Sequence, residues 1–116
     1  MNHASMESVS RPLSEIKAEL FKALGHSGRV RILEVLRDGD RTVAELIPAV
    51  GLESSHLSQQ LAVLRRARVV SAVRSGSSVT YSIADPAIVN LLAAARSFLI
   101  NSLSVSQGLL ADLQQA

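Results

Sequence analysis

The sequence has no cysteine and no tryptophan, and its aromatics amount to 3 % of 116 residues. Without cysteine there is no disulfide scaffold, no thiol nucleophile or redox switch, and no thiolate-ligated metal site. With so few aromatics, the 47 % hydrophobic fraction must come from Leu, Val, Ile and Ala, which favours packed helices over an aromatic-filled sandwich. That fraction, beside 19 % charged residues, excludes a wholly disordered chain. No run approaches the roughly 18 consecutive apolar residues of a membrane span. The opening MNHASMESVS lacks the basic-then-apolar pattern of a secretory signal. A soluble cytoplasmic protein of one domain is the expectation, since single domains commonly run to roughly 100–150 residues.

Acid is missing from one stretch altogether. Residues 54–84 contain Arg65, Arg66, Arg68 and Arg74 and no Asp or Glu, whereas residues 1–53 contain seven Lys/Arg against eight Asp/Glu. Residues 85–116 contain Arg96 against Asp85 and Asp112, so the net charge of +2 conceals one purely basic internal third. Such a stretch suits a docked polyanion or, on charge alone equally well, a solvated face.

Along the chain, residues 1–12 are polar, Ser-rich and closed by Pro12, and read as a flexible tail ahead of one domain over 13–116. Leu13, Ile16, Leu20 and Leu24 recur at helical spacing, with Ser14 as a candidate N-cap and Gly25 as the stop. A second helix is predicted over 27–37, capped by Ser27, with Val30, Leu33 and Leu36 inward and Arg29, Arg31 and Arg37 outward. Asp38-Gly39-Asp40 marks a turn. Thr42 caps a third helix over 42–50, and Glu45 completes a capping box. After Gly51-Leu52 a fourth helix is predicted over 54–67. Its apolar edge is Leu57, Leu61 and Leu64, and its polar face carries Ser54, Ser55, Ser58, Gln59, Arg65 and Arg66.

Two short helices joined by a tight turn, the second polar on its outer face, form the helix-turn-helix pattern. Residues 69–73 and 79–83 then read as a β-hairpin around Ser75-Gly76-Ser77-Ser78. Asp85 caps and Pro86 opens a last helix predicted over 86–113. Its apolar residues, from Ile88 and Val89 to Phe98, Leu99 and Leu103, cover more than one face, so it needs burial on two sides. A second copy of the chain is the simplest source, because two-fold dimers are the commonest oligomers. The fold class is thus mainly α with a small two-stranded β-wing, a winged helix-turn-helix, as a homodimer. Leu13, Ile16 and Leu20 of the first helix and Leu91, Leu92, Ala95, Phe98, Leu99 and Leu103 of the last are the expected interface.

The residues carrying this pattern resemble a known family. The stretch from Ala23-Leu24-Gly25-His26-Ser27 through Arg29 to Ile32-Leu33 looks like the "AL-x-H-P-x-R-x-x-IL" signature of the ArsR/SmtB bacterial transcriptional regulators. Ser58 through Leu64-Arg65 resembles that family's "S-x-H-L-x-x-L-R" recognition helix, and Arg74-Ser75-Gly76 through Tyr81 resembles its wing. The likeness covers about residues 15–100, with all three motifs in order. Ser27 stands where Pro is usual, Gln59-Gln60 where many members have a nearby His, and Arg68 where Gly is common. A left-handed helix end would make Arg68 slightly costly.

The resemblance implies a sequence-specific DNA-binding regulator, a repressor, acting as a homodimer on double-stranded DNA at an inverted-repeat operator. Ser55, Ser58 and Gln59 match the base-contacting positions, and Ser54 and His56 lie on the same helix start; Gln pairs bidentately with adenine. Capping is the bland reading of Ser54 and Ser55. Arg65 and Arg66 are expected to meet phosphates or to pair with acids of the other helices, Arg74 and Ser77 of the wing to reach the neighbouring minor groove or backbone, and Thr42 offers backbone N–H groups to a phosphate.

Metal ligands of the family's usual sites are missing: there is no Cys, and residues 86–113 hold no His and no Glu. No cofactor is expected. His26 is more simply a structural residue. His3, third from an amino terminus, is a weak candidate for square-planar Cu(II) or Ni(II), which makes nickel the first ion to test. Three readings stand: a DNA-binding regulator without the usual metal sites and with an unknown effector; a nickel- or zinc-responsive regulator with a non-standard site; and a winged-helix protein-interaction module. The acid-free stretch disfavours the last. An enzyme is not expected, since there is no recognisable triad or glycine-rich phosphate loop and a winged helix of this size offers little cleft.

Overall fold

The computed structural model describes residues 11–103 and 107–115, so the readings on residues 1–10, His3 included, lie outside it. The elements are α1 (Leu13–Leu24), α2 (Ser27–Arg37), β1 (Arg41–Thr42), α3 (Val43–Val50), α4 (Ser54–Arg66), β2 (Val70–Ser75), β3 (Ser78–Ile83), α5 (Pro86–Ser102) and α6 (Gln107–Gln115). The core lies where α2, α3 and α4 meet the sheet. Ile32, Leu33, Leu46, Leu57, Leu61, Leu64 and Val69 are completely buried there, each contributing roughly 1.5–3 kcal/mol of burial.

Several helix ends differ from the sequence reading. α1 is entered from Pro12 with no side-chain cap, so Ser14 lies within its first turn. Ahead of it, Arg11 grips Glu19 through its two terminal guanidinium nitrogens. α2 is capped by His26, not Ser27: the imidazole Nδ1 accepts the Gly28 N–H at 3.0 Å. That close approach suits glycine at 28, where a Cβ would meet the His26 ring at 3.0 Å and Leu52 at 3.2 Å. Ile32 rather than Val30 joins Leu33 and Leu36 in the core, and Arg29 is half-buried rather than outward. Thr42 and Glu45 form the expected capping box, with Thr42 N–H donating to Glu45 Oε1 at 2.8 Å.

The sheet has three strands in the order β1-β3-β2, all antiparallel, instead of a bare two-stranded wing. Arg41 faces Tyr81 and Thr42 faces Thr80. An N-cap residue has extended dihedrals, here φ −74 and ψ 162 at Thr42, so the approach to a capped helix can pair as a strand. The hairpin is tighter than expected. Ser75 pairs with Ser78, leaving Gly76, at φ 62, and Ser77 as the turn.

The last helix also breaks in two. Asp85 caps α5 by accepting the Ala87 N–H at 2.8 Å, as expected, but α5 ends at Ser102. Asn101 and Ser102 close it, and such side chains favour their own backbone over a helix. α6 turns back along α5. Arg96 donates from Nε to the Leu113 carbonyl and from Nη2 to the Gln114 carbonyl, both at 3.0 Å, a cation on the unpaired carbonyls of a helix end.

Candidate nucleic-acid interface

The turn of the helix-turn-helix is set by Gly51, left-handed at φ 76, whose N–H closes α3 on the Ile47 carbonyl. α4 then starts at Ser54 after Glu53, which caps it without a side-chain bond. Ser54 and Ser55 therefore do not cap; they are exposed in the first turn. At 100° per residue, α4 presents three strips. Ser55, Gln59, Ala62 and Arg66 run along the outermost line, opposite Leu57, Leu61 and Leu64. Ser54, Ser58 and Arg65 line the edge toward the wing. His56, Gln60 and Val63 line the edge toward α1.

The two edges are held differently. On the wing side, Ser58, Ala62, Arg65, Arg66 and Tyr81 line an open notch of about 400 Å³. Tyr81 is nearly buried at its base. Nothing in the sequence reading placed Tyr81 here; its inward position in the alternation of β3 was the available signal. On the α1 side, Arg29 donates from Nη1 to Gln60 Oε1 at 2.7 Å, from Nη2 to the Lys22 carbonyl at 3.2 Å, and from Nε to the Ala23 carbonyl. One guanidinium thus ties the end of α1 to the middle of α4, across 31 residues of sequence.

Ser54, Ser55, His56, Ser58 and Gln59 make no side-chain hydrogen bond among the described residues, and neither do Arg65, Arg66, Arg74 and Ser77. All nine are exposed. Their donors and acceptors, including those of Arg74 and Ser77 at the hairpin end, are open to an incoming partner. Thr42 is different: its N–H and hydroxyl are engaged by Glu45. Those bonds, the backbone one first, hold the Glu45 carboxyl below its usual range. A carboxylate already occupying that helix start disfavours a phosphate there, so Thr42 keeps its capping role. Glu53, exposed, stands at the N-cap of α4 beside this polar strip.

Among the described residues no three His, Asp or Glu side chains gather into a group able to hold a metal ion. His26 Nδ1 is occupied by Gly28. The chain has no Cys, and α5 has no His or Glu. No described helix is long and apolar enough to cross a membrane.

The expected dimer face is largely uncovered in the single chain. Leu13 is 63 % exposed, Ile16 46 %, Phe98 68 % and Leu99 38 %. Ala95 is exposed too, whereas Leu91 and Leu103 are half-buried and Leu20 and Leu92 lean on the core. Phe21, missed from the sequence, is 58 % exposed. With Leu24, Leu91, Leu92 and Leu99 it lines an apolar groove of about 630 Å³ between α1, α2 and α5.

Comparison with known proteins points one way. Residues 26–72 match the family described as bacterial regulatory protein, arsR family. The chain is 56 % identical over 106 residues to the uncharacterized HTH-type transcriptional regulator Rv0081 of Mycobacterium tuberculosis, covering 90 % of this chain and 93 % of that one. It is 34 % identical over 82 residues to the HTH-type transcriptional repressor SmtB of the same organism, covering 71 % of this chain and 61 % of SmtB. The crystal structure of Rv0081 superposes with a TM-score of 0.75 and 58 % identity over 82 % of this chain and 96 % of its own. The solution structure of Mb0332 from Mycobacterium bovis, described as a homodimeric winged helix-turn-helix DNA-binding domain, gives 0.74 with 26 % identity over 88 % and 92 %.

Proposed function

This chain belongs to the arsR family of bacterial regulatory proteins, a DNA-binding transcriptional regulator and not an enzyme, and we propose that it works in the cytoplasm as a homodimeric repressor on an inverted-repeat operator. The observation that carries this reading is the strip of unpartnered polar side chains on α4, set in a stretch of chain with no acid from residue 54 to residue 84. α4 enters the major groove with Ser54, Ser55, His56, Ser58 and Gln59 at base edges, Gln59 reading adenine. Arg65 and Arg66 meet phosphates, Ser58, Arg65 and Tyr81 shaping the notch for one of them. Arg74 and Ser77 carry the wing to the neighbouring backbone or minor groove.

Two copies associate through Leu13, Ile16, Leu20, Leu91, Leu92, Ala95, Phe98, Leu99 and Leu103, joined by Phe21. Large apolar side chains left this exposed are unfavourable in water, and covering them by a two-fold partner sets two α4 helices about 34 Å apart, one turn of DNA. Support for the dimer and for repression comes from the family's homodimeric Mb0332 and its repressor SmtB. No resident cofactor is required, and the effector differs from the metals of the usual sites; nickel is the first ion to exclude, against a His3→Ala control.

Fluorescence anisotropy on duplex DNA from upstream of the gene, across a salt series, tests the assignment. Gln59→Ala relaxes sequence preference. Arg74→Ala weakens binding to all sequences alike and flattens the slope of log K against log salt by about 1.8, one phosphate per protomer at about 0.9 each. Binding unaltered by both substitutions would remove α4 and the wing from the interface.

A further inference from the structure

On the α1 side of α4 lies a second concavity, open and of about 970 Å³, near the upper end of the range of small-molecule sites. Its floor is apolar: Leu20 and Ala23 from α1, Val63 and Ala67 from α4. Among the described residues six charged side chains line it, and one of the cations, Arg11, is paired with the single described acid, Glu19. Lys22, Arg29, Arg66 and Arg68 remain, and none of them has a carboxylate partner among the described residues. Arg29 donates only to neutral oxygens.

Like charges gathered at a concave surface repel one another, and an anion relieves that repulsion. Arg68 lies just past the end of α4, where the closure of the helix holds it at φ 62°, a conformation in which glycine is cheaper.

We propose that this cleft binds a small organic carboxylate carrying an apolar body, and that its occupancy lowers affinity for DNA. The guanidinium forks of Arg66 and Arg68 suit a carboxylate bidentately, while the Leu20, Ala23, Val63 and Ala67 floor takes the apolar part. A DNA phosphate would satisfy the cations and leave that floor bare. The coupling runs through Arg66, which lines both this cleft and the wing-side notch, so a carboxylate held on its guanidinium withdraws it from a DNA phosphate. Ile16 and Leu20 also belong to the proposed dimer face, so the cleft opens at the edge of that interface. The regulatory half of this inference rests on the DNA-binding reading; the binding half does not.

The test is a titration of the full-length isotope-labelled protein, followed by amide shifts in two-dimensional NMR, with sodium benzoate and sodium octanoate as probes. Benzamide, inorganic phosphate and sodium chloride serve as controls. Saturable shifts at Ala23, Val63, Ala67 and Arg68 with a carboxylate and not with benzamide are expected. Arg68→Gly removes a cation while easing the backbone, so it weakens carboxylate binding by about tenfold or more without loss of fold. Several results would overturn the site: no saturable shift in the dimer, which means the partner copy fills the cleft; equal shifts with benzamide; unchanged affinity in Arg68→Gly; or phosphate bound as well as benzoate, which assigns the cleft to the DNA backbone. Operator anisotropy with the bound probe then reads the coupling. A probe that binds and leaves operator affinity unchanged overturns the regulatory half. Absence of any operator binding without probe counts against the proposed function instead, and leaves the titration standing.

Discussion

At Arg68 the backbone makes a left-handed turn that most side chains resist. The Val69 N–H reaches the Leu64 carbonyl and the Arg68 N–H reaches the Arg65 carbonyl, both at 3.0 Å. This is the paired closure of a helix end in which the residue before the last donor is usually glycine. A Cβ in that conformation costs about 1–2 kcal/mol, and glycine loses about 0.5–1 kcal/mol more conformational entropy on folding. Arg68→Gly is therefore expected to stabilise the domain by about 0.5–1 kcal/mol, or about 2–6 °C in Tm for a domain of this size. Removing a cation from the crowded cleft acts in the same direction, so Arg68→Ala is the control: it deletes the charge and keeps the Cβ. Thermal unfolding by circular dichroism, at one protein concentration because the melting of a dimer depends on it, separates the two. Glycine melting no higher than alanine would refute the backbone reasoning.

The capping box makes stability depend on acid. The Glu45 carboxyl is lowered by bonds from Thr42, so its contribution is complete above the ordinary carboxylate value of about 4.3 and fades as pH falls through the lowered one. Glu45→Gln flattens that acid limb in a pH series of urea midpoints, whereas an unchanged limb contradicts the bond. Thr42→Ala costs about 1 kcal/mol in the same assay at neutral pH. Leu61→Ala, at a site only 2 % exposed, costs about 2–5 kcal/mol; a loss under 1 kcal/mol in urea unfolding would mean that α4 is not seated on this core. Phe98→Asp shifts sedimentation toward the monomer while leaving helix content unchanged, and a dimer that persists would move the interface off α5.

The sequence was most informative where chemistry is local. Thr42 with Glu45, and Asp85 with Pro86, name their helix starts because the capping partners lie two or three residues away. Leu57, Leu61 and Leu64 mark the inner face of α4 by spacing alone. His26 was harder: a Ser beside it is the commoner cap, and only the close approach to Gly28 favours the imidazole. β1 escaped notice because two residues carry no alternation. The break after Ser102 was hidden by apolar residues on both sides of it. In the interface, the polar strip of α4 was legible from its periodicity, but Tyr81 and the Arg29–Gln60 tie were not. Those contacts join residues far apart in the chain, and no local pattern encodes them.

The central claim is that two copies read DNA through paired α4 helices. Selection of bound duplexes from a random-sequence pool, followed by sequencing, tests it most directly. The account predicts an enriched inverted repeat whose half-site centres lie about 10–10.5 base pairs apart, or a multiple of that, with a preference at one position in each half that Gln59→Ala relaxes. A pool that stays random, or a single unrepeated site indifferent to Gln59, would contradict it.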